Sequence, residues 1–437
     1  MKPLNSKVFP MTSAIDEKGQ LVVGGCNVMK LANEYGTPLY VLDNETIVAK
    51  CQEYRHEFES RYQNTKVLYA SKAVINLGLA NLIDSQGLGF DVVSGGELAV
   101  LKAAGVPMET VYFHGNNKSY EELNDALDVS IGRIVVDSFH EIELLNQLAG
   151  EKGLVQDTLL RVSPSIDPHT HVYTTTGVLD SKFGFSLETG HAKLAVQQCL
   201  KASNLRLLGL HFHLGSPIFE TEPYAKAIEV VLEFASEMRE YGLELKEFSP
   251  GGGFAIAYLD HDNPPPVKDF ADVIVGAVKE RCGALNMELP ELTVEPGRSI
   301  VGPAGVALYT VGAIKEIPGV RSYVSVDGGM GDNIRPALYQ AQYEVVAANK
   351  MFEKNVGPVT IAGKFCESGD ILVRDAEMPS LEQGDVIAIP ASGAYCPSMA
   401  SNYNLAPRPP IVIVDNGSAR ILRRRETYED LMALDSR

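Results

Sequence analysis

Between residues 67 and 298, short β-like runs alternate with helical stretches, and no other feature constrains the fold of this chain as tightly. The candidate strands are Val67–Ala70, Gly89–Ser94, Val111–His114, Arg133–Asp137, Thr158–Ser163, Leu207–His213, Glu247–Ser249 and Glu291–Glu295. Amphipathic segments such as Ser119–Leu127, His140–Ala149 and Tyr224–Tyr241 lie between them. The last carries Ala227, Ile228, Val231, Leu232 and Phe234 at helical spacing. Eight alternating units in roughly 250 residues predict a TIM-type (β/α)8 barrel, with a doubly wound open sheet as the competing α/β architecture.

The remaining sequence changes character. Val306–Ile317, Tyr323–Val326, Pro358–Ala362, Asp385–Pro390 and Pro410–Asn416 are β-rich and separated by Gly, Pro and Asp turns. Arg425–Leu434 alone reads as helical there, and Lys18–Val23 near the start has strand character. The expected organisation is a barrel over 44–300 and a mostly β domain built from both chain ends, 1–43 plus 301–437. A length of 437 residues suits two domains, and 45% hydrophobic residues suffice for large cores.

Charge narrows the partners. With 38 Lys+Arg against 56 Asp+Glu, the net charge of -18 repels phosphate backbones and anionic lipid surfaces. Neither nucleic acid nor a membrane is an expected partner, whereas a small anionic substrate held by local arginines is compatible with that charge. The six cysteines form no Cys-x-x-Cys pair, so no metal site is expected. No apolar run reaches the ~18 residues of a membrane span, and no apolar signal segment follows Met1. A reduced, cytoplasmic setting is the resulting expectation.

In a barrel of this type the functional groups gather at the C-terminal ends of the strands. Lys72 follows the first strand, Asp91 lies in the second and His114 ends the third. His213-Leu214-Gly215-Ser216 ends the sixth, Gly251-Gly252-Gly253 follows the seventh, and Glu295-Pro296-Gly297-Arg298 closes the eighth. A lysine amine can form a Schiff base with an aldehyde. Backbone amides of the glycine run, with the Ser216 hydroxyl, can cradle an anion. A lysine beside a phosphate cradle suggests pyridoxal 5'-phosphate, whose ring nitrogen needs a carboxylate, and Glu295 is placed for that. His213 could stack on the ring.

Each residue also has a plainer reading: a solvated lysine, a tight glycine turn, a carboxylate paired with Arg298, a buried histidine satisfied by backbone. The same holds for Cys366-Glu367-Ser368-Gly369-Asp370, Arg335-Pro336-Ala337-Leu338-Tyr339 and Gly393-Ala394-Tyr395 in the β-rich part. A cysteine can protonate a carbanion and arginines can clamp a carboxylate, yet Cys366 also fits as a small buried hydrophobe. Spacing alone does not tie this cluster to the barrel.

Together these motifs resemble the fold-type III pyridoxal-phosphate-dependent decarboxylases, most closely the diaminopimelate decarboxylases. The resemblance runs from Tyr35-Gly36-Thr37-Pro38-Leu39-Tyr40-Val41 to Tyr403-Asn404. Its specific parts are Tyr69-Ala70-Ser71-Lys72, His211-Phe212-His213-Leu214-Gly215-Ser216, Glu295-Pro296-Gly297-Arg298, Arg335-Pro336-Ala337-Leu338-Tyr339 and Cys366-Glu367-Ser368-Gly369-Asp370, in the family's order. It implies a homodimer with active sites at the interface. Lys72 would be the Schiff-base lysine and Cys366 the proton donor from the partner subunit. Asp91, His213, Ser216, Gly251, Gly252, Gly253, Glu295, Gly297, Arg298 and Tyr395 would surround the cofactor.

The resemblance also implies a substrate. Arg298, Arg335 and Tyr339 match the family's contacts to a distal carboxylate, with Tyr395 close by, and Glu367 matches its contact to the distal amine. The implied reaction is decarboxylation of meso-diaminopimelate to L-lysine. Decarboxylation of ornithine, arginine or a carboxynorspermidine-type amine, racemisation on a related barrel, and a catalytically dead regulatory relative are the alternatives. Pro217, and Lys364-Phe365 before Cys366, depart from the commonest family residues.

Overall fold

A computed structural model describes residues 1–166 and 181–436. The chain divides into two compact units: Lys50–Ala255 with Pro264–Gly297, and Met1–Ala49 with Ile256–Asn263 and Arg298–Arg437.

The first unit is the closed parallel barrel. Its strands are Thr65–Ala70, Gly89–Val92, Val111–Phe113, Arg133–Val136, Gln156–Ser163, Leu205–His211, Glu247–Gly251 and Glu291–Val294. Each pairs with the next. The eighth returns to the first through Val294 opposite Val67, which closes the ring. Close backbone approach needs glycine at two places: between the sixth and seventh strands a Cβ on Gly209 would lie 1.7 Å from the Glu247 carbonyl oxygen, and just before the fourth strand one on Gly132 would lie 2.1 Å from that of Glu109. Buried Leu68, Tyr112, Val135, Leu159 and Leu208 form one hydrophobic cluster.

Several barrel helices start from a side-chain cap. Ser94 accepts from the Glu97 amide, Ser138 from that of Glu141, and Ser119 forms a reciprocal capping box with Glu122. These caps set the strand-to-helix turns, and hence the direction of the side chains at the barrel mouth. The strand ends differ from expectation by one or two residues. Asp137, His114 and Glu295 stand just beyond the ladder rather than inside it.

The second unit is mostly β. Gly305–Ile317 is its spine, pairing antiparallel with Leu39–Asp43, Val386–Ile389 and Arg321–Val326. Ile411–Asp415 runs parallel to Leu39–Asp43, so both chain ends build one sheet. The strand that joins it is thus Leu39–Asp43. Lys18–Val23 joins the same unit as expected: its strand Leu21–Val23 lies in a separate four-stranded N-terminal sheet, and Leu21 and Val23 share a core with Val306, Leu308 and Val412. Leu39–Asp43 escapes a period-2 reading because all five residues are buried. Ile371–Met378 was also unforeseen, since it exposes Arg374, Asp375 and Glu377. The C-terminal helix is shorter than expected, spanning only Tyr428–Met432.

Candidate functional site

Lys72 sits in a short turn directly after the first barrel strand, and its Nζ lies 2.8 Å from Asp91 Oδ2 at the end of the second. Asp91 is fully buried, so this contact supplies the charge that a buried carboxylate requires. The Lys72 side chain remains 37% exposed, and an amine that must react needs such access. Glu97, in the turn that follows, accepts the Val93 amide at 2.7 Å. Burial pushes its carboxyl up to about 7; the charge of Asp91 adds to this and that of Lys72 opposes it.

Glu295 directly follows the eighth strand and is 5% exposed. Its Oε1 accepts from the Ser249 hydroxyl at 2.9 Å, and its Oε2 lies 3.1 Å from His211 Nε2. His114 Nε2 stands 3.5 Å from Glu295 and 3.8 Å from Asp91, its ring edge-on to His211 at 4.8 Å. Burial alone would raise the Glu295 carboxyl, but the imidazoles of His211 and His114 outweigh it and hold the group at about 2. Burial keeps His114 well below its ordinary value; Glu295 pulls against this, and the charges of Lys72 and Arg161 add to the depression.

These observations fit a pyridinium-bearing cofactor. Each carboxylate oxygen of Glu295 has a second lone pair beyond its present partner, so the group can also accept a ring N–H. Asp91 Oδ1 and His211 Nδ1 are buried without a hydrogen-bond partner among the described residues, a polar lining of the kind a polar ligand satisfies.

The glycine run acts partly otherwise than the sequence suggests. Gly251 N–H donates to Ser249 Oγ at 3.1 Å and Gly252 N–H to His213 Nδ1 at 3.2 Å. A Cβ on Gly252 would lie 2.0 Å from the Glu295 carbonyl oxygen, so this glycine brings the seventh and eighth strand ends together. Gly253, at φ +109°, would place a Cβ 2.2 Å from the Gly215 carbonyl oxygen, which holds the Ser216 turn against the same rim. Half-buried His213 stays neutral because burial and the charges of Lys72 and Arg161 all lower its pKa. Gly297 passes close to Ala70, where a Cβ would meet the Ala70 Cβ at 2.8 Å.

The β unit has its own polar cluster. Arg298 Nη1 donates to the Tyr258 hydroxyl at 2.6 Å, and the guanidinium lies 4.6 Å from the Tyr395 ring centre. Arg335 is 5% exposed, stands 4.7 Å over the Tyr258 ring and donates to the Tyr343 hydroxyl. Tyr339 is half-buried at the end of the short helix Arg335–Tyr339. Cys366 and Glu367 lie exposed on a turn, where the Cys366 amide donates to Asn404 Oδ1 at 2.9 Å. Asp370, the last residue of that motif, is buried and accepts the Met330 and Phe365 amides at 2.6 and 2.8 Å.

Thus Lys72, Asp91, His213, Glu295 and the glycine run meet in the barrel, and Arg298, Arg335 and Tyr395 meet in the β unit. Sequence reasoning gave no role to Glu97, Ser249, Tyr258 or Tyr343. His114 and His211 stood in the quoted motifs, but only the closed barrel brings them to one carboxylate.

Comparison with known proteins agrees with this geometry. The family described as pyridoxal-dependent decarboxylase, pyridoxal binding domain, matches residues 44–302. The diaminopimelate decarboxylase of Bacillus subtilis (strain 168) is 48% identical over 425 residues, 97% of each chain. That of Synechocystis is 44% identical over 99% of this chain and 93% of its own. The crystal structure of diaminopimelate decarboxylase from M. jannaschii superposes with a TM-score of 0.91 at 37% identity, covering 97% of this chain and 98% of that one. The same protein in co-complex with L-lysine matches equally well. With a barrel that gathers a lysine, two carboxylates and a glycine rim, and with relatives matched over nearly its whole length, the chain belongs to the diaminopimelate decarboxylase family of pyridoxal-dependent decarboxylases.

Proposed function

We propose that this chain decarboxylates meso-diaminopimelate to L-lysine and carbon dioxide with pyridoxal 5'-phosphate. The observation that carries this is Glu295, a buried carboxylate held well below its ordinary value and hydrogen-bonded by Ser249 and His211, on the rim where Lys72 presents its amine. Bound pyridoxal phosphate supplies a carbonyl carbon for amine capture and a protonated ring that takes up the electron pair left when carbon dioxide departs. Glu295 would hold the ring-nitrogen proton, and His213 would cover the ring face as a neutral imidazole. Asp91 orients Lys72 Nζ, and Ser216 with Gly253, the glycine of the run whose amide is not committed to Ser249 or His213, would hold the phosphate. Arg298 would serve both ends of the reaction, near the cofactor and at the substrate.

Substrate choice follows from Arg335. It has no carboxylate ion pair among the described residues although it is buried, so an incoming carboxylate supplies what the guanidinium lacks. Ornithine or arginine, once its reacting carboxylate departs, leaves no second carboxylate to fill that place. Tyr339 and Tyr395 would flank the same end, and Glu367 would receive the distal ammonium.

The exposure of Cys366 and Glu367 supports a homodimer in which each subunit's turn completes the partner's site, with Cys366 protonating the substrate carbon. No helix among the described residues is long and apolar enough to cross a membrane, and we propose a cytoplasmic setting. Mixing Lys72→Ala with Cys366→Ala subunits tests both parts, with wild-type carbon dioxide release from meso-diaminopimelate as reference. Random pairing should restore up to about a quarter of wild-type sites. No recovery after confirmed subunit exchange contradicts a shared site, and no release by the wild type contradicts the reaction.

A further inference from the structure

Arg335 raises a physical problem that its surroundings answer. A buried guanidinium is costly unless paired, yet pairing it with a protein carboxylate would neutralise the charge that a substrate carboxylate must find. Its neighbours are phenols instead. The Tyr343 hydroxyl accepts from Arg335, and the Tyr258 ring lies under the guanidinium at 4.7 Å. Tyr258 also accepts from Arg298 Nη1 through its hydroxyl at 2.6 Å, so one side chain touches both arginines, by face and by edge.

Tyr258 is itself fixed. Its amide donates to Asp262 Oδ2 at 2.9 Å, and its carbonyl accepts from the Glu344 amide at 3.2 Å. Its ring stands edge-on to Tyr343 at 5.2 Å and 83°. A phenol can orient a guanidinium by hydrogen bond and π-face without cancelling its charge. An Asp or Glu in that place would hold the arginines more strongly but fill the anion site.

We infer that Tyr258 is a positioning residue that locks Arg298 and Arg335 into a single clamp for the distal carboxylate, with Tyr343 as the second support of Arg335. Tyr258 therefore sets specificity for substrates that carry this carboxylate without touching it. This rests on the reading of the two arginines as substrate groups.

The test uses the cofactor-loaded enzyme and two inhibitors of meso-diaminopimelate decarboxylation. L-Lysine carries the distal carboxylate; 1,5-diaminopentane has the same chain without it. Tyr258→Phe removes the hydroxyl and keeps the ring. A charge-assisted hydrogen bond contributes ~1.5–3 kcal/mol, so the KM for substrate and the Ki for L-lysine should rise about tenfold or more. The kcat should stay within about threefold and the Ki for 1,5-diaminopentane within about twofold, because the clamp adds binding common to ground and transition states. Tyr258→Leu removes the ring as well and should raise the L-lysine Ki further, since a desolvated cation–π contact adds ~2 kcal/mol.

If Tyr258→Phe leaves the L-lysine Ki within about twofold, or shifts both inhibitors alike, the inference is wrong. Arg335→Gln in parallel separates the two levels. Should it lose the preference for L-lysine while Tyr258→Phe keeps it, the clamp stands and the brace does not. Should Arg335→Gln itself keep the preference, the clamp reading fails and the brace fails with it.

Discussion

Lys72→Ala is expected to abolish the visible-range absorbance that forms when the wild-type protein takes up pyridoxal phosphate, and to reduce decarboxylation by at least ~10³-fold, about 4 kcal/mol of barrier. The substitution removes an amine that the structure presents on a short turn after the first barrel strand, 2.8 Å from a buried carboxylate. Two contributions can be separated. Lys72→Arg preserves a cation for Asp91 but has no amine that can attack a carbonyl carbon at neutral pH. If the role of Lys72 were to neutralise Asp91, Arg would rescue activity. The account requires that Lys72→Arg keep the thermal stability of the wild type while staying as inactive as Lys72→Ala. Activity within about tenfold of wild type in Lys72→Ala would remove Lys72 from the chemistry.

The second large effect is at Glu295. Glu295→Gln keeps the shape of the side chain, and Ser249 and His211 can still find partners, but the negative charge is gone. Losing one preorganised electrostatic contact costs ~10²–10³ in kcat, about 2.7–4 kcal/mol. The wild-type carboxyl is depressed from its ordinary 4.5 to about 2, so it is ionised throughout any practical assay range. The stabilisation it lends the fold is fully present above about pH 4.5 and lost as pH falls through about 2. Its titration therefore contributes no limb to the rate profile near neutrality. Glu295→Gln should lower kcat by a similar factor at every pH between 6 and 9, with the cofactor still binding through Lys72. A kcat loss that appeared at one end of that range only would place the effect elsewhere.

The sequence made the barrel side of this site legible for a physical reason. A residue that follows a short apolar run in a β/α alternation has a fixed address, the strand's C-terminal end, and that address places Lys72, Asp91 and Glu295 on the rim, while their roles rest on the family resemblance. What it could not show was convergence. His114 follows the third strand and His211 ends the sixth, and only ring closure brings both within hydrogen-bonding or ion-pair distance of Glu295. Gly252 looked like an anion-binding amide, whereas its N–H goes to His213 and its missing Cβ admits the Glu295 carbonyl. Tyr258 lies in a segment without a motif, after the glycine run, and its meaning depends on two arginines 40 and 77 residues further on. In the β unit, the central strand Leu39–Asp43 is buried on both faces, and Ile371–Met378 carries charges that mimic a loop, so neither showed alternation.

The central claim is that a pyridoxal-phosphate decarboxylase scaffold is directed to an amino acid with a carboxylate at each end. The most direct measurement is carbon dioxide release by the cofactor-loaded wild-type protein from meso-diaminopimelate, ornithine, arginine and lysine assayed side by side, with the amino-acid product identified. The account predicts equimolar carbon dioxide and L-lysine from meso-diaminopimelate, with a kcat/KM at least ~10³-fold above that for each of the others, about 4 kcal/mol of discrimination. Preferred turnover of ornithine, arginine or lysine, or no release from meso-diaminopimelate, would contradict it.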